Sequence, residues 1–183
     1  MTKAWMIRIC LCLMSLQVYG QNLSISAVEE KLALSVDLPV EGKFKQEKHL
    51  AILKRPFVST GRYRITHTQL SWETITPVPQ TLTMEKQQVY LWDESAGRRA
   101  MPQAKPFVSL IQQLLSGDLD ALANDFTFAD EADKPDCVAM VPKSSAIAAV
   151  FKDFQLCGHT HITSITMTDS DSNITVISLM SAP

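Results

Sequence analysis

Two cysteines and two histidines fall in one late stretch of the chain, with Cys157-Gly158-His159-Thr160-His161 following Cys137. An extended backbone repeats its side-chain direction every second residue, so it would put the Cys157 thiol and both imidazoles on one sheet face. Cys137 could join them, and two sulfurs with two ring nitrogens can satisfy tetrahedral zinc. The same residues allow two other states: a Cys137–Cys157 disulfide between neighbouring antiparallel strands, or free thiols. A disulfide closing a loop of that length is worth about 3 kcal/mol by chain entropy. The remaining chemistry is sparse. There is no Gly-rich phosphate loop, no Gly-x-Ser-x-Gly and no two-His helix with zinc-protease spacing. Glu29, Glu73 and Asp93 are scattered carboxylates for which solvated surface positions are the default, and His49 and His67 take no role. The expectation is a protein that is not an enzyme and needs no cofactor or metal.

The redox state of the cysteines depends on the compartment, and the first twenty residues address it. Lys3 and Arg8 precede or interrupt an apolar run from Ile7 to Leu16 that ends in Gln17-Val18-Tyr19-Gly20. This pattern reads as a secretory signal cleaved after Gly20, since the run is too short to span a bilayer as a helix. Cys10 and Cys12 lie inside the run without the small-residue pair that a lipidation signal needs. Export favours the disulfide over the thiols or zinc. The mature chain is then residues 21–183, a length for one domain. Taking Lys3 and Arg8 from the 17 Lys+Arg leaves fifteen against 19 Asp+Glu, a formal charge of −4. That balance does not suggest nucleic acid. Cations gather early, at Lys43, Lys45, Lys48, Lys54, Arg55, Arg62 and Arg64, and acids later, from Asp118 to Asp136; a solvated face explains most such runs.

The elements that must position these residues follow from periodicity. Ile25, Val28, Leu32 and Val36 recur at helical steps, which predicts an amphipathic helix within Leu23–Leu38, capped by Ser24 or Ser26 and ended by Pro39 and Gly42. Residues 43–94 turn to period two, as in Gly61 to Thr66 and Leu70 to Thr76, with breaks at Arg55-Pro56, Gly61, Pro77 to Pro79 and Ser95 to Gly97. Four to six short strands in an antiparallel meander are expected there. From Pro106 to Phe128 helical spacing returns in Phe107, Leu110, Ile111, Leu114 and Leu115. Ser116-Gly117 interrupts it, and Asp118 can cap a second helix whose apolar face is Leu119, Leu122, Ala123 and Phe126. The segments Cys137–Pro142, Val150–Cys157, His159–Thr168 and Asn173–Met180 read as strands, with a turn at Asp169 to Ser172. The order is helix, strands, a helical insertion and more strands. Strand and helix never alternate, which disfavours a parallel nucleotide-binding sheet.

Several short motifs occur in that order: Gly42-x-Phe44-x-Gln46-x-Lys48, Leu53-Lys54-Arg55-Pro56, Ser59-Thr60-Gly61-Arg62-Tyr63, Leu70-x-Trp72 before Pro77, and later Phe107, Leu114-Leu115, Gly117-Asp118 and Phe126. Across nearly the whole mature chain they resemble the LolA-like lipoprotein carriers, as a divergent relative. The resemblance implies a mainly antiparallel α+β fold: an incomplete, half-open β-barrel around an apolar cavity, with helices as a lid. It departs from the best-known carriers at Thr66-His67-Thr68, where they place Arg-Pro before the Leu-x-Trp strand. That departure concerns the latch of the lid.

What the resemblance implies functionally is a periplasmic carrier of a lipoprotein's acyl chains, or of another lipid-like cargo. It would be a monomer that meets an inner-membrane exporter and an outer-membrane acceptor transiently. The candidate cavity residues are Phe44, Leu53, Phe57, Tyr63, Leu70, Trp72 and Leu82, with Phe107, Leu110, Ile111, Leu114 and Phe126 from the lid. Each buried methylene of cargo is worth about 0.8 kcal/mol without any directed polar contact. Two other classes remain open: a fully packed interaction module for a membrane exporter, and a zinc-binding protein built on Cys137, Cys157, His159 and His161.

Overall fold

Ser24 opens the first helix of the computed structural model, which describes residues 22–131 and 133–181. Its hydroxyl accepts from the Ala27 N–H at 3.2 Å, satisfying one of the orphan donors of the first turn. Before it lies the short strand β1 (Asn22–Leu23), and the helix α1 covers Ile25–Leu32 with Val28 and Leu32 fully buried. The helix is shorter than the periodicity to Leu38 suggests. Ala33 takes a left-handed conformation at φ 44°, and the chain beyond pairs with the turn at Thr160. The Leu32 carbonyl accepts from the Thr160 N–H at 3.1 Å, and the Ser35 N–H donates to the Thr160 carbonyl at 2.9 Å. These tertiary bonds take the backbone groups that further helix would have used.

The meander then runs as β2 (Val40–His49), β3 (Phe57–Ile65), β4 (Gln69–Thr76), β5 (Gln80–Glu85), β6 (Gln88–Asp93) and β7 (Gly97–Ala100). The helical insertion follows as α2 (Lys105–Ser116) and α3 (Leu119–Asp125), after a single 3-10 turn at Pro102–Ala104. Gly117 separates the two helices at φ 67°, a left-handed position that glycine adopts without steric cost. Asp118 caps α3 by accepting from the Ala121 N–H at 3.1 Å. The insertion gives way to strand sooner than its apolar spacing suggests, because Phe126 already belongs to β8 (Phe126–Asp130), paired with Pro142. The chain closes with β9 (Cys137–Pro142), the short helix α4 (Ser145–Ala148), β10 (Phe151–His159), β11 (His161–Asp169) and β12 (Ile174–Ser181).

All twelve strands form one antiparallel sheet in the order β1-β8-β9-β10-β11-β12-β2-β3-β4-β5-β6-β7. The last strand docks on the second, with Leu179 opposite Phe44, so the late strands and the early meander share one surface. Among the described residues β1 and β7 do not pair with each other, and the sheet stays an unclosed barrel. One face alternates inward: Phe44, Tyr63, Ile65, Leu70 and Met84 from the meander meet Phe154, Leu156, Ile165, Ile177 and Leu179 from the late strands, all buried. Against that concave face lie α1, α2 and α3, contributing Leu32, Val108, Ile111, Leu114 and Leu122 to the same core. Burial of side chains of this kind at about 1.5–3 kcal/mol each is what holds helices onto the sheet. On the convex side, cations expected as a solvated face pair across strands, Arg62 with Glu73 and Arg64 with Glu41.

Candidate functional site

The centre of the concave face is aromatic, and a glycine makes it so. Gly61 faces Phe44 across the β2–β3 pairing, and a Cβ there would come within 2.7 Å of the Phe44 ring and 1.9 Å of the Glu73 carbonyl. With no side chain in the way, the Phe44 ring settles over β3 and stacks on Trp72 at 4.0 Å between centroids. Tyr63, directly opposite Trp72 on β4, continues the row at 6.0 Å. Offset-stacked rings of this kind give a stiff apolar floor. A second aromatic group stands on the late strands: Phe126 meets Phe154 edge-on at 5.3 Å, Phe154 meets Phe151 at 5.0 Å, and Phe151 stacks on Phe107 of α2 at 6.2 Å.

Between these two groups α2 lies across the trough, and the space beneath it is divided. Directly under the helix is a cavity of about 50 Å³ lined by Gln46, Leu70, Trp72, Leu82, Phe107, Val108, Ile111 and Ile177. That holds a water or two and not a hydrocarbon tail. On the meander side, a cleft of about 430 Å³ shares Gln46, Trp72 and Leu82 with it and opens past Thr74, Pro77 and Val78. On the late-strand side, a cleft of about 590 Å³ shares Phe107 and is walled by Leu110, Ile147, Val150 and Phe151. The two clefts thus flank the small cavity under α2, the waist, with Phe107 on one side of it and the Trp72–Leu82 pair on the other.

The sequence-derived residues divide accordingly. Leu70, Trp72, Leu82, Phe107 and Ile111 line the waist, Leu110 lines the larger cleft, and Phe44 supports Trp72 from below. Tyr63 borders a third groove of about 320 Å³ at the other end of the sheet, with Asp37, Glu41, Leu115 and His161. Leu114 and Phe126 are fully buried in the core behind the helices. Leu53 and Phe57 do not join the others; they sit exposed around the β2–β3 turn. Gln46, Ile177, Ile147, Val150 and Phe151 line the site without having been singled out. Both Ile177 and Gln46 had a legible signal in strand periodicity, Gln46 standing two residues from Phe44 on the same face of β2, but its polar type masks that position.

Cys137 and Cys157 are directly opposite on β9 and β10 and are joined as a disulfide. His159 and His161 flank the exposed β10–β11 turn, and among the described residues no three His, Cys, Asp or Glu side chains converge as metal ligands. Of the scattered carboxylates, Glu73 pairs with Arg62, and Asp93 accepts from the Ser95 hydroxyl, the Ala96 N–H and Arg99. Those bonds, the Ser95 hydroxyl first, hold the Asp93 carboxyl well below the usual carboxylate range. Asp169 is also lowered, chiefly by the Asn173 amide. Both stabilise turns, away from the trough.

The fold is thus an unclosed antiparallel barrel, apolar on its concave face and covered there by helices. The family model described as outer membrane lipoprotein carrier protein LolA matches residues 39–182, and the chain belongs to that family. Among curated proteins none matches the chain. Among solved structures, the chain is similar to a LolA superfamily protein from Nitrosomonas europaea, at 8% identity over 86% of this chain and 92% of that one, with a TM-score of 0.47. Among the described residues no helix is long and apolar enough to cross a membrane. The signal expected over residues 1–20 lies outside the described residues.

Proposed function

We propose that the protein is a periplasmic carrier that takes the acyl chains of a lipoprotein or a similar lipid-like molecule into the trough beneath α2. The single observation that carries this reading is the pair of clefts that flank α2, the larger walled by Phe107, Leu110, Ile147, Val150 and Phe151, with a waist of about 50 Å³ beneath the helix. Membership of a family described as lipoprotein carriers supports it. On this reading α2 is the lid, and swinging it outward merges the clefts into one channel across the concave face. Burial of about ten methylenes in that channel is worth about 8 kcal/mol, a scale that supports reversible binding without polar anchors. The protein works as a monomer, takes cargo from a membrane exporter and yields it to an outer-membrane acceptor, with no cofactor and no turnover.

Phe107 is the residue to test, since it touches both the waist and the larger cleft yet is 39% exposed, so its replacement leaves the core intact. Protein purified from cells expressing the full chain is expected to bind a fluorescent fatty acid, and Phe107→Glu to weaken that binding about tenfold or more with an unchanged circular dichroism spectrum. Equal binding by the variant, or none by the parent, would sink the reading. A fully packed interaction module gives the second of those results.

A further inference from the structure

Most large apolar side chains left exposed crowd one end of the sheet. The registers place the turns 50–56, 77–79 and 170–173 together there, because Lys48 is opposite Phe57, Thr60 opposite Thr76, and Ile174 opposite His49. The β2–β3 turn carries the most exposed of them, with Ile52 88% exposed, Phe57 60% and Leu53 46%, and Val78 of the neighbouring turn is 65% exposed. Soluble surfaces rarely gather so many apolar residues at one place without a use for them. The turn is also held: the Leu53 N–H donates to the Leu50 carbonyl at 2.9 Å, and the Ala51 N–H donates to the Asn173 Oδ1 at 3.1 Å.

Cations stand within and beside the same turn. Lys48, Lys54 and Arg55 frame it, no acid occurs in the sequence from Lys48 to Trp72, and among the described residues no ion pair engages Lys54 or Arg55. The acids at this end are Glu47, paired with Lys45; Asp93, paired with Arg99; Asp153, which accepts from the Thr168 hydroxyl; Asp169 and Asp171 of the neighbouring turn, of which Asp169 is bonded to Asn173 and faces Lys48; and Glu94 beyond β6. An exposed apolar turn with long cationic side chains among its apolar residues suits the interface of an anionic bilayer, where the apolar groups enter the hydrocarbon boundary and the cations reach the phosphates. A protein partner would call for a broad facing surface instead of a protruding turn.

We infer that the β2–β3 turn is a membrane-contact site: Ile52, Leu53 and Phe57 enter the interface of an anionic phospholipid bilayer while Lys54 and Arg55 lie against its phosphates. Val78 also walls the meander-side cleft, so this contact sets that cleft's mouth toward the lipid. The inference concerns where the protein rests and does not require the trough to take cargo.

Sedimentation with vesicles tests it. Protein purified from cells expressing the full chain should pellet with phosphatidylglycerol/phosphatidylethanolamine vesicles, more weakly with phosphatidylcholine alone, and less as salt rises. Ile52→Asp should reduce the bound fraction's apparent affinity about tenfold, and Lys54→Gln/Arg55→Gln about fivefold per charge. Val141→Asp, at an exposed position on β9, should change it little. Fatty-acid probe binding by Ile52→Asp should equal that of the parent, which separates this site from the trough: a parent that pellets with the vesicles but binds no probe would defeat the carrier reading alone. Failure of the parent to pellet with anionic vesicles, which leaves the turn to a protein partner, overturns the inference, as does pelleting of Ile52→Asp at the parent's level.

Discussion

Gly61 shows how much can hang on a missing methyl group. Its replacement by alanine would drive Cβ against both the Glu73 carbonyl and the Phe44 ring, and backbone cannot yield as a flexible side chain would. Gly61→Ala is therefore expected to cost about 1–3 kcal/mol in urea unfolding, and to shift the near-ultraviolet signal of Trp72 because the ring stacked on it is displaced. The disulfide acts on the other side of the balance, through the unfolded chain. Cys137 and Cys157 are separated by 20 residues, so Cys137→Ala/Cys157→Ala should lose about 3 kcal/mol by loop entropy, with secondary structure retained. Asp93 gives a pH signature. Its carboxyl is depressed in the folded state, so the unfolded chain binds the extra proton first, and the stability it contributes is present above the ordinary carboxylate pKa of about 4 and lost as pH falls below that. The destabilisation seen for Asp93→Asn at neutral pH should accordingly shrink as unfolding is measured at progressively lower pH. A difference that stays constant into strong acid would mean that the turn bonds are not charge-assisted.

At the scale of elements, α2 has two requirements that pull against each other: it must cover the trough when empty and leave it when cargo arrives. Its inward residues Val108, Ile111 and Leu114 are buried, but its start is exposed, and Phe107 rests at a boundary. Hydrogen exchange should show Leu110 to Leu115 opening at lower free energy than the central strands β2 and β12, and slowing when a fatty acid is added. Exchange of α2 only through global unfolding would exclude a moving lid. The sequence made this element legible, since the Phe107–Leu115 stripe, Gly117 and the Asp118 cap are all local signals. It was less clear where local and tertiary preferences compete. Leu32, Val36 and their neighbours satisfy a helical period and also an every-second-residue one, and only the pairing with Thr160 decides for an early stop. Likewise Leu53 and Phe57 look like cavity residues by type, and only the register, with Lys48 opposite Phe57, puts them at a turn outside the trough. Gln46 was hidden for the opposite reason, being a polar side chain at an inward position of β2, beside the waist.

The whole molecule can be asked whether its interior is arranged for stability or for exchange of contents, because a lid and a core respond to the same mutation with opposite signs. Ile111 is 5% exposed, lines the waist and helps hold α2 against the sheet. Truncation to alanine removes that hold and leaves a cavity, so Ile111→Ala should lose about 2–5 kcal/mol of stability like any buried isoleucine. If the trough is simply a core, nothing is gained in return. If α2 must open before an acyl chain enters, the apparent affinity is the intrinsic one multiplied by the open fraction, and weakening the closed state raises that fraction. The waist would also be wider by the deleted carbon atoms. Ile111→Ala is then expected to bind a fluorescent fatty acid more tightly than the parent while melting at a lower temperature, with Leu122→Ala, buried on α3 away from the waist, lowering stability without strengthening binding. Parallel losses of stability and binding in both variants would mean that the helices are fixed parts of the interior and that cargo, if any, enters elsewhere.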